Sequence, residues 1–161
     1  MMNKKLALAT ACTCCVLIAS STFSLAEDGP YDNAIKARQG MFQLYSFNVG
    51  ILSDMAKEKI PYDADIASEA ANNLSAAANL GQSQFWPAGS DNETDGNMAT
   101  RAKPEIWETY PAITEKAAAL SDAVAALVPV AGSGLGELQG AIGDVGASCK
   151  GCHDDFRAKS K

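Results

Sequence analysis

The chain has 161 residues, of which 20% are charged, with 13 Lys+Arg against 19 Asp+Glu and a net charge of −6 with its single histidine neutral. That length suits one domain. The acidic excess argues against nucleic acid or an anionic membrane as partner, and favours solubility or a basic partner.

Residues 1–26 have the layout of a secretory signal peptide: Lys4 and Lys5, an apolar run from Leu6 to Leu25, and Ser24-Leu25-Ala26 before the acidic pair Glu27-Asp28. Cys12, Thr13, Ser20, Ser21 and Thr22 dilute the run, which favours a cleaved leader over a transmembrane anchor. Cleavage after Ala26 leaves residues 27–161 as the mature domain, with 11 basic and 19 acidic residues, a net charge of −8, and only Cys149 and Cys152 of the five cysteines. No later apolar run is long enough to span a bilayer, so no membrane contact is expected after cleavage.

The mature segment reads as all-α, with abundant Ala, few β-branched residues and no sustained strand-like alternation. A first helix is predicted from about Asp32 to Lys59, with Ile35, Phe42, Tyr45, Val49, Leu52 and Met55/Ala56 inward and Pro61 ending it. A second runs from about Asp63 to Leu80, with Ile66, Ala70, Leu74, Ala77 and Leu80 inward. A long connection over residues 81–103 follows. The third helix starts at Pro104, is kinked at Pro111, which has no backbone N–H to donate, and stops at Pro129 and Gly132-Ser133-Gly134.

The fourth helix carries the strongest periodicity. Leu135, Leu138, Ile142, Val145, Cys149, Cys152 and Phe156 recur at alternating steps of three and four, a seam that faces other helices as in an antiparallel bundle. Gly136, Gly140, Gly143 and Gly146 lie on the same helix, each costing about 0.8–1 kcal/mol against Ala. Such a cost asks for a reason: close packing of two helices, or room for a macrocycle.

The seam ends in Cys149-Lys150-Gly151-Cys152-His153, and Cys-x-x-Cys-His is the attachment motif of c-type haem. On a helix, residues three apart share a face, so two thioethers can meet one haem edge while the adjacent His153 reaches the iron. A structural zinc site wants four Cys or His ligands, and the mature chain holds three. A redox Cys-x-x-Cys belongs at a helix start, and this one is near a helix end. A disulfide between residues three apart in a helix is strained.

These residues, with Lys36-Ala37-Arg38-Gln39, Pro61-Tyr62-Asp63, Lys103-Pro104-Glu105-Ile106-Trp107 and the stretch from Gly143 to Arg157, resemble the class II c-type cytochromes, and most closely the cytochrome c' family. The resemblance implies an antiparallel four-helix bundle with one covalent haem c inside one end, commonly as a homodimer packed through the first two helices. It also implies that Cys149 and Cys152 form the thioethers and His153 binds the iron. Arg157 would stand on the proximal side, Arg38 and Gln39 near the propionates, and Phe42 over the open iron face. Phe85 would be a second distal aromatic, with Trp86 competing for that place.

Asp91-Asn92-Glu93-Thr94-Asp95-Gly96 begins like a calcium loop, but Ala102 stands where the bidentate Glu should fall, so it reads as a solvated acidic turn. The functional expectation is a periplasmic haem protein, not an enzyme, that binds small uncharged gases, nitric oxide foremost. The alternative is a one-electron carrier working with a redox partner protein. The neighbours Met41 and Phe42 separate the two, because a first-helix Met can ligate iron and a Phe can only restrict access to it. Phe42 shares the register of Tyr45, Val49 and Leu52, which favours the gas binder and sends Met41, on the flank with Leu44, to a helix–helix or dimer contact.

Overall fold

A computed structural model describes residues 29–159. The leader assigned to residues 1–26 lies outside the described residues. The protein is an all-α four-helix bundle, built from α1 (Asp32–Ala56), α2 (Ala64–Ala78), α4 (Ala112–Leu127) and α5 (Leu135–Phe156). A one-turn helix, α3 (Glu105–Glu108), precedes α4. Around the bundle α1 packs on α2, α2 on α4, α4 on α5, and α5 back on α1. None of the described helices is long and apolar enough to cross a membrane.

Local chemistry sets the boundaries. Glu58 takes a left-handed conformation (φ 56°) and ends α1 a turn ahead of Pro61, with Lys59 N–H donating back to Asp54 C=O at 2.9 Å. Asp63 caps α2, its Oδ1 accepting the N–H of Ile66 at 3.0 Å. The expected third helix is two pieces rather than one kinked rod. Pro111 offers no N–H to the turn before it and disfavours helical backbone at Tyr110, so α3 stops at Glu108 and α4 starts afresh at Ala112.

The core departs from the expected stripes in two places. On α1 the buried line runs through Ile35, Arg38, Met41, Tyr45, Asn48, Leu52 and Met55, so Met41 fills the helix interface and Phe42 lies one step round at 39% exposed. On α2 the inward face is nearly all alanine, with Leu74 the one large residue, while Ile66 and Leu80 are exposed. Alanines let α2 approach its neighbours closely, and the bulkier residues fall outside the contact.

The seam of α5 points inward, with Leu138, Val145 and Phe156 buried and both cysteines half-buried. Its glycines do not line the seam. Gly136, Gly140, Gly143 and Gly146 are all exposed, and a Cβ on any of them would meet nothing within 4 Å. Neither helix packing nor room for a macrocycle within the chain accounts for them. The turn at Gly132 is different: a Cβ there would stand 2.0 Å from Ser68 Oγ and 3.0 Å from Ala64 O, so only glycine lets the α4–α5 turn close against α2.

Candidate haem site

At the end of the bundle opposite Gly132, the helices part around a cavity of about 860 Å³, a size suited to a large cofactor. One wall is α1, through Arg38, Gln39, Phe42, Tyr45 and Ser46. The facing wall comes from α4 and α5, with Lys116, Leu120, Cys149, Cys152 and His153. The connection between α2 and α3 closes the end with Trp86, Thr100 and Arg101.

That connection is folded rather than loose, and Arg38 holds it. The Arg38 side chain is 2% exposed, and donates to Ser90 Oγ at 2.6 Å, Thr100 Oγ1 at 2.9 Å, Phe85 O at 3.3 Å and, more closely, Ser90 O. Its guanidinium also lies over the Trp86 ring, 4.8 Å from the centroid. Burial pulls its pKa down to about 10, against a smaller upward pull from Asp91. Gln39 Nε2 adds a bond to Ala99 O at 2.8 Å.

The stretch read as a solvated acidic turn is instead anchored at its first residue. Asp91 is buried, and its Oδ1 accepts the N–H groups of Glu93 and Thr94 at 2.9 and 2.8 Å. Burial alone would raise its carboxyl; those bonds and the Thr94 hydroxyl together hold it below the usual carboxylate range.

Cys149 and Cys152 stand on the cavity wall with no disulfide between them, and burial pushes both thiol pKa values up. His153 also lines the cavity. Burial lowers its pKa first, with Arg157 and then Arg101 adding to the effect, which favours the neutral imidazole that a metal requires. Arg157 follows one turn later, with Nη1 3.5 Å from His153 Nδ1. Its backbone leaves the helix to form an antiparallel bridge with Ala102, which brings Arg101 to the same face.

Of the residues singled out from sequence, Cys149, Cys152, His153, Arg38, Gln39, Phe42 and Arg157 all line this one cavity. Phe85 is not among the lining residues; its side chain packs on the main core, and Trp86 stands at the cavity wall. Phe42 meets Tyr45 and Trp86 edge-on, with ring centroids 5.6 and 6.1 Å apart. Met41 is absent from the wall. Arg101 and Lys116 are cavity residues that sequence reasoning missed, since nothing local marks a cation that long-range contacts bring in. With Arg38 and Arg157 they make four cations on a wall that, among the described residues, carries no Asp or Glu.

The cavity fits haem c. Two thiols and an imidazole sit together on it, and a carboxylate-free, cation-bearing wall suits a macrocycle with two propionates. The profile of the cytochrome c' family matches residues 33–157. The chain belongs to this family. Over 128 residues it is 40% identical to a cytochrome c' of Cereibacter sphaeroides, covering 80% of this chain and 85% of that one. It is also 38% identical over 128 residues to a cytochrome c-554 of the same species, covering 80% and 95%. Among solved structures, a cytochrome c' from Rhodobacter Spheriodes superposes with a TM-score of 0.76 at 40% identity, covering 80% of this chain and 97% of that one. A ferrous variant of the Alcaligenes xylosoxidans cytochrome c' with bound NO matches at a TM-score of 0.67 and 32% identity, covering 79% and 94%. The protein is thus a c-type haem protein.

Proposed function

We propose that the protein is a periplasmic binder of small uncharged gases, nitric oxide foremost, and not an enzyme. In this reading Cys149 and Cys152 hold one haem c covalently as thioethers and His153 is its iron ligand. When bound, haem supplies the iron at which a neutral diatomic ligand is held. The chain's own residues set which ligands arrive. Phe42, Trp86, Ile106, Ile113 and Leu120 give the wall apolar surface, which disfavours charged or strongly hydrated ligands. In this reading Arg38 and Gln39, which bond to the connection, lie near the propionates, and Arg157, beside His153, lies on the proximal side.

The observation that carries the proposal is the division between Met41 and Phe42. Met41 is 4% exposed, packed in the core with Tyr45 and Leu52, while Phe42 faces the cavity. No methionine stands on the described wall, so the chain offers no thioether as a second iron ligand there. The NO-bound Alcaligenes relative supports the same reading. The alternative, a one-electron carrier with Met41 on the iron, would need Met41 to turn out of the core.

A homodimer through the first two helices is part of this proposal. Leu44 and Phe47 lie on the outer face of α1, 52% and 67% exposed, and with half-buried Ile51 form an apolar stripe that a second copy would cover. The test of the function is optical. The ferrous protein should bind nitric oxide and carbon monoxide, Phe42→Ala should speed carbon monoxide binding, and Met41→Leu should leave the spectrum nearly unchanged. A low-spin, methionine-ligated spectrum abolished by Met41→Leu would make the protein an electron carrier instead.

A further inference from the structure

An iron ligand has to be held still, and the last turn of a helix is where the backbone frays most easily. His153 lies in that turn, three residues before α5 ends at Phe156. The turn has no local stop. Arg157 takes an extended conformation (φ −113°, ψ 118°), so no left-handed residue folds back to cap the final carbonyls. They are capped instead from a distant stretch of chain.

That stretch is residues 99–103. Lys103 supplies two donors: its backbone N–H donates to Phe156 O at 3.1 Å, and its Nζ to Asp155 O at 2.7 Å. The dipole of α5 also favours a cation at this end. Two neighbours fix the double contact. Pro104 disfavours helical backbone at Lys103, and Glu105 Oε1 holds the same Nζ at 2.9 Å. Just past the helix, the Ala158 N–H donates to Arg101 O at 2.9 Å and adds one more rung.

A cap is only as fixed as its own anchorage. Upstream of Lys103 the same stretch is bonded to the opposite wall of the cavity. Gln39 Nε2 donates to Ala99 O at 2.8 Å, and Arg38 Nη2 to Thr100 Oγ1 at 2.9 Å. The Asn92 N–H adds a bond to Ala102 O at 2.8 Å. Residues 99–103 therefore cross the end of the cavity as a bar, tied to α1 on one side and to the turn of His153 on the other.

We propose that Lys103 is a positioning residue for the iron ligand: through this bar it holds the last turn of α5, and with it the His153 ring, at a set distance from the α1 wall. Lys103 is not among the lining residues of the cavity, so it acts on the iron only through His153. The inference rests on the haem reading above and adds to it the group that fixes the ligand. Lys150 is the control for charge alone. It is a cation on the same turns of α5, but it pairs with the Asp154 side chain and not with a backbone carbonyl.

The experiment uses the ferrous holoprotein. Resonance Raman reads the iron–histidine stretching band, and hydrogen exchange reads the amides of Lys103, Arg157 and Ala158. Lys103→Met keeps the aliphatic stem and the backbone N–H and removes the Nζ donor. Its band should shift and broaden, and its Arg157 and Ala158 amides should exchange about tenfold faster. Lys103→Arg restores a cationic donor and should return both readings towards wild type. Lys150→Met should change neither. A wild-type band in Lys103→Met, with or without faster exchange, overturns the positioning role, as does an equal shift in Lys150→Met. If Lys103→Met does not fold, the wild type decides. Its Lys103 amide should exchange together with those of Arg157 and Ala158, and exchange at the rate of an unbonded amide overturns the proposal. A wild-type protein with no iron–histidine band fails the haem reading itself, and the proposal with it.

Discussion

The two ends of the bundle solve different problems. At the far end Leu52, Leu127, Ala131 and Leu138 are fully buried, and Met55 is 2% exposed. Tyr62 Oη donates to Ala131 O and Gln139 Nε2 to Ala56 O, each at 2.9 Å, so the turns are tied to the helix ends they cover. The cavity end has a smaller apolar cluster, Ile106 and Phe156 with Trp86, Trp107 and Ile113 packed against them, set to one side of the cavity. The connection that closes it is ordered by polar bonds, in which Arg38 reaches 52 residues ahead to Ser90 and Asp91 pins its own turn. One end is closed by side chains that fill its whole cross-section, and at the other a smaller cluster and polar bonds fix the walls around open space. Stability is concentrated where binding is absent, and the scaffold uses polar contacts to keep a large cavity from collapsing.

The most severe way to break this division is to remove the haem attachment. Cys149→Ala with Cys152→Ala should leave the cavity end without its largest packing element. With nothing packed against Cys149, Cys152 and His153, the last turns of α5 should loosen, because their inward face lines the cavity. Hydrogen exchange should show protection surviving at Leu52, Leu127 and Leu138 while residues 83–103 and the last turns of α5 exchange freely. A cooperative melt close to that of the haem-bearing protein, with uniform protection, would show that the ends are not distinct.

A smaller perturbation tests the far end alone. Leu138→Ala removes a fully buried side chain and should lower stability by about 2–5 kcal/mol. Carbon monoxide binding to the folded variant should be nearly unchanged, because Leu138 does not line the cavity. Phe42→Ala is the mirror case, with a cost below about 1 kcal/mol for a side chain already 39% exposed, and its effect falling on ligand access. Similar stability losses from the two substitutions would erase the contrast.

The same division governs what the sequence reveals. The α5 seam and the Cys149–His153 motif are local patterns, a three-and-four spacing and a five-residue string, and the structure places them as those patterns imply. The Asp63 start and the Pro111 interruption are likewise set by chemistry within a turn. Periodicity is weaker where a helix has more than one inward direction. α1 faces both the core and the cavity, so Met41 and Phe42 each have a buried partner surface, and a single stripe cannot describe them. The burial of Arg38 has no local signal at all. A polar residue is buried by acceptors that lie some fifty residues away, and only the folded connection supplies them. For the same reason Trp86 rather than Phe85 reaches the wall: the turn at Ser83–Phe85 sets which ring faces in, and its geometry depends on contacts to α1.

The mildest test probes the polar scaffold of the cavity end through Asp91. Its folded-state pKa is depressed, so ionised Asp91 contributes stability that is present above the unfolded carboxylate value and lost as pH falls through the folded one. Asp91→Asn keeps an oxygen that can accept the N–H groups of Glu93 and Thr94, removes the charge, and puts an NH2 where the second oxygen accepts the Thr94 hydroxyl. Hydrogen bonds to a charged acceptor are worth more than neutral ones, so the variant should be less stable by about 1 kcal/mol at pH 7. The gap between wild type and variant should narrow as the pH is lowered below the ordinary carboxylate range, since a protonated Asp91 carboxyl and an asparagine amide are both neutral acceptors. Amides of residues 89–97 should exchange faster in the variant at neutral pH, while those of Leu127 and Leu138 stay as they are. A pH-independent gap, or a loss of protection at the far end, would mean that Asp91 acts on the whole bundle and that the two ends share one network.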